Sequence, residues 1–186
     1  MPSVLGLDLA TRLTGWCAGD GLSVPTAGAF DLPQCGDDIG MMLDLLDHNI
    51  AGLLNRFEPG LVVFEAPILP SGGKGGAAVM GTTMVRRKLF NLSGHVEFMC
   101  TRLGVPCIEE DVFKIKKELA GFAGAQKDDM VAAAQKVGIV LPASKTAGQE
   151  DAADAFGAWL LGLRKVDRAA SANWDRVLHS SRGALL

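Results

Sequence analysis

Hydrophobic positions fall into two periods along this chain. In Ser3–Leu9 the apolar residues Val4, Leu5, Leu7 and Leu9 are nearly continuous, which predicts a buried strand, and one acid, Asp8, interrupts them. Ala10–Leu13 is a polar turn, and Thr14–Ala18 and Ala27–Phe30 read as two further strands of a meander. The period then changes. Ile39, Leu43, Leu46, Ile50, Leu53 and Phe57 recur at three- and four-residue intervals, a helical stripe that Asp37 can cap and Pro59-Gly60 stops. Leu61–Phe64 returns to a short buried strand, and it ends in Glu65. Pro67–Gly81 reads as a glycine-rich loop. Helices are expected over Thr83–Leu103, Lys127–Val137 and Gln149–Leu163, with a helical turn at Lys114–Leu119 and a short strand at Val105–Ile108. A strand meander followed by alternating helices and strands predicts a three-layer α/β fold, a mixed central sheet with helices on both faces.

Composition narrows the class. With 186 residues, 48% hydrophobic and 21% charged, the chain can bury one sizeable core and is not disordered over most of its length. No apolar run approaches the roughly 20 residues that span a bilayer, so no membrane is expected as a partner. No basic segment with a small-residue cleavage site opens the chain. The four cysteines lack C-x-x-C spacing, so reduced thiols in a cytosolic protein are expected rather than structural zinc. The net charge of −3 conceals an uneven distribution. Residues 1–81 carry 3 basic and 9 acidic side chains, residues 82–127 carry 8 and 5, and residues 128–186 carry 7 of each. A basic middle in an acidic chain is either solvated surface or an anion-binding stretch.

The acids bear on that choice. Asp8 lies inside an apolar strand, where a carboxylate is costly unless something positive meets it. Glu65 closes the other strongly apolar strand, and strand ends are where α/β sheets place ligands. Asp151 and Asp154 are three apart, on one face of a helix otherwise built from Ala152, Ala155, Phe156, Trp159, Leu160 and Leu163. Singly, each acid also fits a structural role: a hydrogen-bonded core acid, a strand-end acid, an acid favoured by a helix N-terminus. Together, four such carboxylates repel one another and raise their pKa values unless cations lie between them. An all-oxygen set of this size suits Mg²⁺ or Mn²⁺, and a pair of such ions serves in-line displacement at a phosphodiester.

These residues resemble a known family. Val4-Leu5-Gly6-Leu7-Asp8 with Thr14-Gly15 looks like the opening strand and turn of RuvC-type Holliday junction resolvases. Val62-Val63-Phe64-Glu65 is similar to their second acidic strand. Ile115-Lys116-Lys117-Glu118-Leu119-Ala120-Gly121 with Lys127 is similar to their lysine segment, and Asp151-Ala152-Ala153-Asp154-Ala155 to their final acidic helix. The pieces run in family order from residue 3 to about residue 163. The resemblance implies an RNase H-like fold over residues 1–164 as a nuclease domain, with 165–186 as a C-terminal tail or helix. It implies a homodimer in the cytoplasm of a bacterial or phage-infected cell, resolving four-way junctions and other branched DNA by paired nicks that leave 5′-phosphate and 3′-hydroxyl ends. Asp8, Glu65, Asp151 and Asp154 would be the catalytic metal ligands for two Mg²⁺ ions, with Mn²⁺ able to substitute. Lys116, Lys117 and Lys127 would contact DNA. Two departures stand out: Ile68 occupies a position three after the second acid that bacterial members usually give to an aromatic, and Ser71-Gly72-Gly73-Lys74-Gly75-Gly76 is unusually rich in glycine. The divergence resembles the phage-encoded branch.

Other features have two readings. The glycine loop is not a Walker A motif, because Gly75 follows Lys74 where Ser or Thr is needed; it is a surface loop or a DNA contact through Lys74. Arg86 and Arg87 belong to a solvated face or track phosphates. Val85, Leu89, Leu92, Val96, Met99 and Leu103 form a heptad-like seam, either core or part of a dimer face. Phe113 and Phe122 flank the lysine segment and are expected in the core, or stacked on an unpaired base. The residues after Leu163 read as a solvated helix or frayed end. A non-catalytic DNA-binding protein of the same fold is the main rival, and four intact acids argue against it. A small actin-like phosphotransferase would need a second glycine-rich phosphate motif, which is absent.

Overall fold

The computed structural model describes residues 3–32, 36, 38–67 and 76–180, with side chains omitted for 76–82 and 179–180. Five strands form one sheet among these residues: β1 (Ser3–Asp8), β2 (Leu13–Gly19), β3 (Thr26–Asp31), β4 (Pro59–Glu65) and β5 (Cys107–Glu110). Their order is β3-β2-β1-β4-β5, with β1, β2 and β3 antiparallel and β1, β4 and β5 parallel. The mixed sheet expected from the sequence is therefore present. The helices are α1 (Ile39–Phe57), α2 (Gly76–Leu103), α3 (Val112–Ala120), α4 (Lys127–Lys136), α5 (Gln149–Val166) and α6 (Arg168–Ser180).

Side-chain alternation along the strands divides the core in two. Val4, Cys17, Leu61 and Val63 face α3, α4, α5 and α6. Leu5, Leu7, Ala18, Val62 and Phe64 face α1 and α2. Helices thus cover both faces, and β1 and β4 are apolar on both sides because both are covered. No helix among the described residues is long and apolar enough to cross a membrane.

Helix α5 lies unusually close to the sheet, and glycine is the reason. A Cβ on Gly6 would stand 2.3 Å from the Ala155 carbonyl oxygen, and one on Gly15 would stand 2.0 Å from that of Asp151. Two tryptophans then tie the β2–β3 turn to the C-terminal helices. The Trp159 indole N–H donates to the Gly19 carbonyl and the Trp174 indole N–H to that of Gly21, each at 3.1 Å.

Several boundaries differ from the sequence reading. Asp38 caps α1, accepting from the Met41 amide, while Asp37 lies outside the described residues. Pro59-Gly60 does not merely stop α1; left-handed Glu58 ends the helix and Pro59 opens β4. Helix α2 begins at Gly76, inside the segment expected as loop. Strand β5 runs two residues further than expected, to Glu110. The residues after Leu163, expected as a solvated helix or frayed end, include the helix α6, whose charged residues face out but whose Ala170, Trp174 and Leu178 are buried in the core. Phe113 and Phe122, expected in the core, are 61% and 50% exposed. Among the described residues Cys17, Cys100 and Cys107 are free thiols.

Candidate active site

Three parallel strands end at the same edge of the sheet. Asp8 is the last residue of β1, Glu65 of β4 and Glu110 of β5. Glu65 pairs with Glu110, and Leu7 with Phe64, so the three acids share one level and one face. That face is the one α5 covers. Asp8 pairs with Gly15, and the Gly15 backbone packs directly on the Asp151 backbone. The close approach therefore delivers the first two turns of α5, with Asp151 and Asp154, to the ends of β1 and β4. Ala152, Ala153 and Ala155 beside them are fully buried, whereas all four acids keep partial access to solvent.

The electrostatics put the four acids in one another's field. Burial pushes the Asp8 carboxyl well above the usual carboxylate range, and Glu65, Asp154 and Asp151 push it further. Glu65 is raised to about 7, by burial first and then by Asp154. Asp154 is raised to about 6 by burial, although Lys127 and Lys116 oppose the shift. Burial also raises Asp151, against Lys127. Of the basic candidates, the structure brings Lys116 and Lys127 into this field. Lys117 is exposed on α3 and contacts no acid among the described residues. Arg86 is partly buried and Arg87 exposed on α2. Lys74 and Ile68 lie outside the described residues.

Two further acids belong to the neighbourhood. Glu110 is only 7% exposed, yet its carboxylate is held below the usual range: burial raises it, but Lys165 at 2.8 Å and Lys114 at 3.2 Å outweigh that. Its paired state separates it from the four repelling acids. Glu150 is likewise lowered, by hydrogen bonds from Lys145 and then Lys127. Glu110 was missed because the expected strand ended at Ile108. For Glu150 the available signal was its place on the first turn of α5, directly before Asp151.

A cluster of carboxylates whose pKa values are all raised by burial is a donor set that a hard divalent cation would relieve, and the oxygen-only chemistry fits Mg²⁺ or Mn²⁺. Among the described residues no three Asp, Glu, His or Cys side chains are already close enough to grip one ion. Asp8, Glu65, Asp151 and Asp154 share one field and are the residues that would hold such a cation.

No protein-family model matches the sequence, and no curated protein matches it. Solved structures do. The chain is similar to RuvC of Thermus thermophilus, with 15% identity over 88% of this chain and 95% of that one, at a TM-score of 0.55. It is also similar to the same organism's RuvC in complex with a Holliday junction substrate, with 17% identity over 86% and 92% of the two chains, at a TM-score of 0.59. Strand order, two-sided helical cover and this likeness together give the chain the RNase H-like fold of RuvC.

Proposed function

We propose that this protein is a metal-dependent endonuclease that resolves Holliday junctions, and other branched DNA, by paired nicks. The observation that carries the reading is the gathering of Asp8, Glu65, Asp151 and Asp154 at one sheet edge, each raised by burial, with Lys116 and Lys127 in the same field. The RuvC bound to a Holliday junction has the same fold and supports the substrate. The four acids would hold two Mg²⁺ ions, with Mn²⁺ able to substitute, and such ions supply Lewis acidity and an activated water for in-line attack. Lys116 and Lys127 would hold the phosphate at the acid cluster, and Lys117, Lys74, Arg86 and Arg87 would meet DNA backbone further out. No Ser, Tyr or Cys nucleophile is needed.

Paired nicks on a two-fold junction call for a two-fold protein, so the chain would act as a homodimer. Leu92 and Val96 are fully buried against α1, which leaves them to the core. The outward face of α2 is the better interface: Phe90 and Phe98 are each 55% exposed, with open space over Gly94 between them. A cytoplasmic place of action in a bacterial or phage-infected cell accords with the substrate. The deciding experiment incubates the protein with a labelled four-way junction, with and without Mg²⁺. Symmetric nicks that require the ion are expected, and an intact junction under both conditions would refute the reading.

A further inference from the structure

Lys127 occupies an unfavourable place for a cation. It is the first residue of α4, where the helix dipole favours acids such as Asp128 and Asp129. Its backbone is fixed by a reciprocal cap: the Asp129 carboxylate accepts from the Gln126 amide at 2.8 Å, and the Gln126 side chain accepts in return. Its ammonium, on a flexible four-carbon stem, is fixed separately. Glu150 Oε2 accepts from Lys127 Nζ at 3.1 Å, and Glu150 Oε1 accepts from Lys145 Nζ at 2.8 Å. Lys145 also donates to Asp128 Oδ1 at 2.9 Å, beside Lys127 in sequence. The ring Lys127–Glu150–Lys145–Asp128 thus joins α4, α5 and the short turn Lys145–Ala147.

The exposures are asymmetric. The Glu150 side chain is 14% exposed, while those of Lys127 and Lys145 are 57% and 63% exposed. A nearly buried carboxylate therefore holds two ammonium groups whose other protons face solvent. Both ammonium groups are more than half exposed, which limits what the ring adds to stability. Glu150 is also adjacent to Asp151, and the same helical turn aims both. Left bare, Glu150 would add another negative charge beside four repelling acids; Lys145 neutralises it.

We propose that Glu150 is a positioning residue, which aims the Lys127 ammonium at the acid cluster, and that Lys145 locks Glu150 in that orientation. The inference rests on the nuclease reading, and it deepens it. No bond is made or broken by either residue. Their effect is to place one cation where phosphate charge must be met, and misplacement of about 1 Å in such a group costs on the order of a hundredfold in rate.

The test uses Glu150→Gln, Lys145→Ala and Lys145→Arg in the full chain. Lysine-selective ¹⁵N NMR of the free protein reads the Lys127 ammonium without any cleavage. Slow proton exchange in the wild type, fast exchange in Glu150→Gln, an intermediate state in Lys145→Ala and recovery in Lys145→Arg are expected. In single-turnover cleavage of a four-way junction the maximal rate should fall roughly ten- to a hundredfold in Glu150→Gln. Half-saturating DNA concentration and thermal midpoint should stay near wild type, and Lys145→Arg should restore the rate. An unchanged Lys127 exchange rate in Glu150→Gln would overturn the proposal, as would a loss that saturating DNA fully recovers. A wild type that cuts no branched DNA would instead defeat the nuclease reading, and the spectrum alone would then judge the clamp.

Discussion

Carboxyl groups that titrate near neutrality couple this fold to pH in a direction that can be worked out. Glu65 is raised to about 7 and Asp154 to about 6, with Asp8 also raised. Each would ionise near pH 4 in the unfolded chain, so between those values the folded state binds more protons. Stability without divalent cations is then greatest in acid and falls as pH rises through about 7, by on the order of 3 kcal/mol for Glu65 alone. The expected outcome is a thermal midpoint that drops from pH 5 to pH 8 in chelator and is raised by Mg²⁺ at pH 8 far more than at pH 5. A flat profile, insensitive to Mg²⁺, would contradict the shared field. Asp8→Asn should abolish junction cleavage while raising the metal-free midpoint, because it removes one of the repelling charges; junction binding measured by mobility shift should persist. Loss of the fold in that variant would assign Asp8 to structure instead.

At the scale of elements, the approach of α5 to the sheet sets the site. Gly6→Ala would push a methyl into the Ala155 carbonyl and the Trp159 backbone, both part of a rigid helix. Overpacking of this kind costs about 1–3 kcal/mol or more and should also reduce cleavage by displacing Asp154. Gly52 on α1 provides the contrast, since nothing stands within 4 Å of a Cβ there. Gly52→Ala should stabilise by roughly 0.5–1 kcal/mol and leave activity alone, as denaturant titration and a junction assay would show. Much of this arrangement was legible. An acid interrupting the apolar run of β1, another closing β4 and two acids a helical turn apart all follow from local pattern. Where partners come from distant sequence the reading failed. Glu110 and Lys165 meet only because α5 crosses the sheet, and the Lys127–Glu150 pair needs the α4–α5 connection to fold back. Helix α6 carried a readable four-residue spacing in Ala170, Trp174 and Leu178, but its interspersed charges hid the buried stripe. The start of α2 was missed because glycine-rich sequence carries no helical periodicity to read.

For the whole molecule, the proposed dimer interface lies on the outward face of α2, apart from the buried Leu92 and Val96 that hold the fold. Phe90→Glu with Phe98→Glu should yield a folded monomer in light scattering, with single nicks replacing paired ones, whereas Leu92→Glu should unfold the chain because that side chain has no exposed surface. A double phenylalanine variant that remains dimeric would move the interface elsewhere. The tryptophan ties have a consequence for biosynthesis. Trp159 and Trp174 reach back to the turn that follows β2, and Asp8 waits for Asp154. A ribosome releases the N-terminal strands long before α5, and such long-range closure is slow compared with local helix formation. A nascent chain therefore carries its first acid in an open sheet, bare of its partners, and the four-carboxylate cluster is complete only once α5 has emerged and docked.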